Sequence, residues 1–272
     1  MLIKNFRNFL FSISLLLAFL TIAASCCFAS PSADKLLKRK GFVWKSAATG
    51  HLRLHFEPGT LAENRIEELK RFQEIAYAKN LKLLKVSDYS FQTDIFIVAS
   101  RERMKQLIGR ETNGVAYPGT KVLCFIFSEK IDASGSHELM HVMAGNVWGL
   151  KFKRWINEGF ATYADDIWYG CKLSDLNKYL LQEKRLIPLE KLIKDFSDHS
   201  DMISYPEAGR FVKYIYEQYG VEKVKELWKS GTIKDLKRVL GKDILTLEKD
   251  WHSKLLEADA TKIKYDFSPK KK

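Results

Sequence analysis

The sequence predicts an α+β fold in which a strand-bearing first half meets an all-helical second half. Three observations carry this. Between residues 51 and 127, short runs either alternate polar and apolar residues with period two or are continuously apolar, as strands do. Between these runs, longer segments repeat their apolar residues at helical spacing. From Leu173 onward every patterned segment is helical, broken at Pro188, Pro206, Gly220, Gly231 and Gly241.

Residues Met1 to Ser30 read as a signal peptide. Lys4 and Arg7 form a charged start, Phe9 to Ala24 is an apolar run, and small residues follow. The run is shorter than the roughly 20 residues needed to span a bilayer, so no transmembrane span is expected after cleavage. Export to the periplasm or the medium is therefore expected. Cutting after Ala29 leaves a soluble chain starting at Ser30, whereas Ala23-Ala24-Ser25 before Cys26 is a weak lipoprotein box that would acylate Cys26.

Residues 31–50 read as a basic linker. His51 to Phe56 alternates as a half-buried strand, Pro58-Gly59 breaks it, and Leu61 to Lys79 has helical spacing. One face of the strand over His51 to Phe56 would leave His51, Arg53 and His55 in solvent. Gln92 to Val98 reads as a strand, Arg101 to Ile108 as a helix, Gly114 to Gly119 as a loop and Lys121 to Phe127 as an apolar strand. Ala133 to Val147 reads as a helix closed by Gly149, and Trp155 to Trp168 as another. The expected organisation is a catalytic lobe over 51–170, a helical lobe over 171–260 and a basic tail over 261–272.

With 46% hydrophobic residues the 272-residue chain can bury a full core, which sets disorder aside for all but the ends. The formal net charge of +12 becomes +10 without Lys4 and Arg7. An anionic envelope surface is one partner such a charge would suit, and solvated helix faces explain it equally. Nucleic acid is not expected, because no zinc finger, RNA-binding sheet motif or basic stripe interleaved with aromatics appears. Cys124 and Cys171 are the cysteines beyond the export segment. In an oxidising compartment they either pair or stay as separate thiols.

The chemistry concentrates in His137-Glu138-Leu139-Met140-His141, inside a segment read as helical on other grounds. Residues four apart share a helix face, so both imidazoles reach one ion, while Glu138 is turned about 100° aside towards a water on that ion. A third ligand is needed. Glu158 supplies it at the start of the second helix, in Arg154-Trp155-Ile156-Asn157-Glu158-Gly159-Phe160-Ala161-Thr162-Tyr163. Two histidines, one glutamate and one water make an open catalytic zinc site, one ion per chain. Two turns further on, Asp165 is placed to hold a ligand histidine by its free ring nitrogen.

These two segments resemble those of the gluzincin peptidases. Trp155 to Tyr163 is especially similar to the glutamate-ligand segment of aminopeptidase N relatives, and the chain beyond the export segment resembles the bacterial peptidase MA-like domains of that clan. The resemblance implies a zincin-like fold, with a small mixed sheet and the zinc helix in one lobe, helices in the other and a cleft between. Tyr205-Pro206-Glu207-Ala208-Gly209-Arg210 is a further match. By that resemblance Tyr205 would donate a hydrogen bond to the oxyanion of the transition state. One departure matters. The aminopeptidases carry an acid ahead of the zinc helix that binds the substrate's free amino group, and Gly114-Val115-Ala116-Tyr117-Pro118 has none.

The expected activity is hydrolysis of peptides or proteins at internal bonds, with Glu138 taking the proton of the attacking water and passing it to the leaving amine. The alternative is a zinc-stabilised, catalytically weak envelope or substrate-binding protein on the same fold. Glu138 argues against it, since a purely structural ion has no use for a base there.

Overall fold

The structure, a computed structural model, describes residues 30–257 and Tyr265. The export segment up to Ala29, with Cys26, and the basic tail apart from Tyr265 lie outside the described residues.

A five-stranded mixed sheet organises the first half. Helix α1 (Ala33–Leu37) leads into β1 (Lys45–Ala48) and β2 (Leu52–Phe56). Helices α2 (Leu61–Asn64) and α3 (Ile66–Leu84) cross to β3 (Thr93–Val98). Helix α4 (Arg101–Ile108) and β4 (Gly114–Tyr117) precede β5 (Val122–Ile126). The strand order is β1-β2-β3-β5-β4. The inner pairs β2/β3 and β3/β5 are parallel, whereas the edge strands β1 and β4 run antiparallel to their neighbours.

Both faces of this sheet are covered, which is why β5, and β3 from Ile95 to Val98, are apolar at every step rather than alternating. Ile95, Ile97, Leu123 and Phe125 pack with Leu69, Ala76 and Tyr77 of α3. Phe96, Val98, Val122, Cys124 and Ile126 pack on the opposite face with Met104 and Leu107 of α4 and Leu36 of α1.

The second half is helical. It comprises α5 (His137–Trp148), α6 (Arg154–Asp165), a hairpin of β6 (Ile167–Trp168) and β7 (Cys171–Lys172), α7 (Leu173–Gln182), α8 (Leu189–Lys194), α9 (Asp201–Tyr219), α10 (Val221–Trp228), α11 (Ile233–Leu240) and α12 (Ile244–Glu257). Helix α5 lies against the sheet edge at β4, and α6 packs on α5 and α9. Two glycines set the α6–α9 distance. A Cβ on Gly159 would stand 2.8 Å from the Ala208 carbonyl oxygen, and one on Gly209 would stand 2.9 Å from Thr162 Cγ2. Hence the two backbones approach closely, and α9 is brought over the ligand segment of α6.

Several expectations are corrected. Residues 31–50 are not a linker, because Leu36 of α1 is buried under the sheet and β1 is its edge strand. The segment after Asn113 is not a loop at its start, since Gly114 to Tyr117 pair with Val122 to Phe125. Helix α5 begins at His137 rather than Ala133. Its preceding backbone is held from outside the helix, with Gln73 Nε2 donating to the Ser134 carbonyl at 2.5 Å and Asn80 Nδ2 to that of Ser136 at 3.4 Å. Helix α6 ends at Asp165, where Asp166 adopts the left-handed conformation (φ 59°) and turns the chain into the hairpin.

His55 is likewise corrected. It is buried, not solvent-exposed, since β1 and β3 flank it and it stacks on Phe96 with ring centroids 4.5 Å apart. Its ring nitrogens meet Ser46 Oγ at 2.7 Å and Asp94 Oδ1 at 2.8 Å. Cys124 is buried in β5, Cys171 sits in β7, and both are free thiols. Among the described residues no helix is long and apolar enough to cross a membrane.

Candidate metal centre

Helix α5 carries His137 and His141 one turn apart, and the start of α6 brings Glu158 opposite them. The Nε2 atoms of the two histidines lie 3.1 Å apart. Glu158 Oε2 lies 3.4 Å from the Nε2 of His137 and 3.3 Å from that of His141. Among the described residues this is the one group of three or more His, Cys, Asp or Glu side chains whose ligand atoms converge. A tetrahedral zinc with bonds of roughly 2.0–2.1 Å separates its ligand atoms by roughly 3.3 Å. The three distances therefore fit three corners of such a site.

The ligands are oriented by their neighbours. Asn157 Oδ1 sits 3.0 Å from His141 Nδ1. With the amide oxygen accepting, Nδ1 carries the proton and the Nε2 lone pair is left free for a metal ion. Asp165, the residue the sequence offers for this task, caps the zinc helix instead, its Oδ1 accepting the Ser136 backbone N–H at 2.5 Å. That contact needs Gly135, where a Cβ would come within 2.7 Å of the same oxygen.

Electrostatics follow from burial and pairing. For His141, burial works against the charged form, but the Glu158 carboxylate outweighs it and lifts the pKa to about 9. Burial opposes ionisation of Glu158 too, yet His141 and His137 hold it well below the usual carboxylate range. Glu138 takes no part in this triangle, and its carboxylate lies against the edge strand. A Cβ added at Gly114 of β4 would lie 2.5 Å from Glu138 Oε1, so the carboxylate fills the space a side chain there would take. Burial raises its pKa, with the neighbouring histidines pulling the other way. A carboxylate so placed is a better proton acceptor than one in water.

Tyr205, from the first turns of α9, stands on the other side. Its ring stacks beside His137 with centroids 6.4 Å apart and against Trp168 of the hairpin at 5.1 Å. Its hydroxyl accepts a hydrogen bond from Arg154 Nη2 at 3.4 Å, and burial pushes its pKa up to about 12.

Sequence reasoning did not identify Asn157, Gly114 or Trp168 as parts of the site. Asn157 carried a signal, as a polar residue set between the apolar pair Trp155-Ile156 and Glu158. Trp168 carried none, because it was read as the end of a helix.

The chain matches the Peptidase MA superfamily over residues 83–257, more than half of its length. No match to a curated protein was found. Among solved structures it is similar to an aminopeptidase N family protein from Idiomarina loihiensis, at 13% identity and a TM-score of 0.43, covering 77% of this chain and 46% of that one. It is also similar to yeast LTA4 hydrolase in complex with bestatin, at 14% identity and a TM-score of 0.42, covering 79% and 38%. The native yeast LTA4 hydrolase gives 14% identity and a TM-score of 0.44, covering 82% and 40%. The chain thus spans less than half the length of each of these structures. By the family match, the chain belongs to the Peptidase MA superfamily.

Proposed function

We propose that this protein is an exported zinc peptidase that cuts peptide chains internally, with His137, His141 and Glu158 as the metal ligands, Glu138 as the base and Tyr205 as the oxyanion donor. The carrying observation is the triangle of donor atoms, spaced at 3.1, 3.3 and 3.4 Å, with the half-buried Glu138 carboxylate beside it that takes no part in it.

Zinc held there supplies Lewis acidity, acidifying a water and polarising the scissile carbonyl. The residues do the rest. Glu138 accepts the proton as the water oxygen bonds to the carbonyl carbon, then delivers it to the amide nitrogen as the C–N bond breaks. The products are a carboxylate and a free amine. Tyr205 donates its hydroxyl hydrogen to the carbonyl oxygen as negative charge develops. Asn157 keeps His141 in the tautomer that presents Nε2.

Internal cleavage is supported by β4, which has no acid to hold a substrate's amino group and offers an edge on which an extended peptide can pair. Glu138 is the reason to prefer an enzyme over a zinc-stabilised binding protein. Metal analysis of the purified chain tests the ligand set. One zinc per chain is expected, lost in His141→Ala, and full occupancy in that variant would remove the assignment.

A further inference from the structure

Arg154 opens α6, one turn before Glu158, and its guanidinium touches both the metal centre and a cavity beside it. Nε lies 3.9 Å from Glu158 Oε1 and Nη2 donates to the Tyr205 hydroxyl. On the other side Nη1 donates to Ser197 Oγ at 2.9 Å, and the group lies 5.8 Å from the centre of the Phe196 ring. Its side chain is half exposed. Next to it is an open cavity of about 210 Å³ whose apolar lining is Trp155, Ile193 and Phe196.

The charges there do not cancel once a metal is bound. Glu158 and Asp201 are the acids that bear on Arg154, and Glu158 is then committed to the ion. The direct hydrogen-bond partners of the guanidinium are two neutral hydroxyls, whereas its five N–H groups form a fork that suits a carboxylate bidentately. Lys153 and Lys194 share the cavity rim with Asp195 and Asp198, so the rim favours one added negative charge and opposes several. A group on Arg154 sits within one residue's length of the bond being cut, because that side chain approaches a metal ligand to 3.9 Å.

Resting on the peptidase reading, we infer that Arg154 is the specificity residue of this site and that its ligand is a single carboxylate of the bound peptide next to the scissile bond. With internal cleavage the carboxylate belongs to an acidic side chain; if it is the peptide's own C-terminus, the bond cut is the terminal one and the internal-cleavage part of the reading fails.

The test separates binding from turnover. Zinc-loaded Glu138→Gln protein is titrated with three acetylated peptides of equal length: one with a glutamate and an amidated end, one with neutral residues and a free C-terminal carboxylate, and one with glutamine and an amidated end. At least one acidic peptide should bind about tenfold tighter than the neutral one, and which one identifies the source of the carboxylate. The preference should vanish when Arg154→Gln is added and persist in weaker form with Arg154→Lys, at unchanged zinc content. Equal affinity for all three peptides, no binding of any, or a preference that survives Arg154→Gln would overturn the inference. Wild-type turnover of the same peptides is read separately. Selective binding without turnover would retain this subsite and sink the peptidase reading, and turnover without acidic preference would do the reverse.

Discussion

Asn157 Oδ1 stands 3.0 Å from His141 Nδ1, and both residues are buried. The contact ties the start of α6 to the zinc helix one residue before Glu158, so a single short segment supplies one ligand and orients another. Asn157→Ala should weaken zinc binding by about 10- to 100-fold, measured by competition with a chelator. Asn157→Asp keeps the acceptor and should bind zinc far better than the Ala variant. Equal affinities in all three proteins would mean the contact only packs.

Two glycines should respond differently to the same added methyl. At Gly114 the new Cβ meets the mobile end of Glu138, so the carboxylate shifts while the fold survives. Gly114→Ala should lower turnover by about 10²-fold with zinc content unchanged. At Gly159 the obstacle is the Ala208 backbone and Val212, which cannot step aside. Gly159→Ala should cost about 1–3 kcal/mol in a denaturant titration. A stability loss at Gly114 as large as that at Gly159 would contradict this division.

Tyr205→Phe removes the hydroxyl and keeps the ring that stacks on Trp168 and beside His137. The turnover number and the specificity constant should fall together by about 10²- to 10³-fold, with the melting temperature nearly unchanged. Normal turnover per folded molecule, with reduced stability, would leave Tyr205 a packing residue.

Glu207 is fully buried in α9, with Oε2 accepting the Ile187 N–H at 2.9 Å and Oε1 without a partner. Burial raises its pKa well above the ordinary 4.5. The folded state therefore holds a proton that the unfolded chain releases more readily. This contribution to stability is complete below about pH 4.5 and is lost as the pH rises through the folded value. Glu207→Gln cannot ionise. Between pH 5 and pH 8 the stability difference between the two proteins should move in favour of the Gln variant, and a constant difference would show that Glu207 does not titrate there.

The convergent group of His137, His141 and Glu158 was legible because each part is local. The two histidines are fixed by helical periodicity, and Glu158 lies in a short segment with its own pattern. Parts that depend on which elements meet were not legible. His55 alternates as an exposed strand position does, and only the flanking of β2 by β1 and β3 buries it. Asp165 sits two turns beyond Glu158 as a second-layer partner would, but the chain before α5 bends so that the Ser136 N–H reaches it first. Residues 31–50 looked like a linker because β1 needs a neighbour that no local pattern shows. The pairing of Cys124 and Cys171 also depends on distance in space.

The central claim is that Glu138 performs proton transfer beside a metal it does not bind. The most direct measurement is hydrolysis of an amino-terminally blocked peptide library by zinc-loaded wild type and Glu138→Gln, with zinc quantified in both. Internal cleavage by the wild type and none by the variant is expected, at one zinc per chain in each. Equal cleavage by the Gln variant, or loss of its zinc, would contradict it.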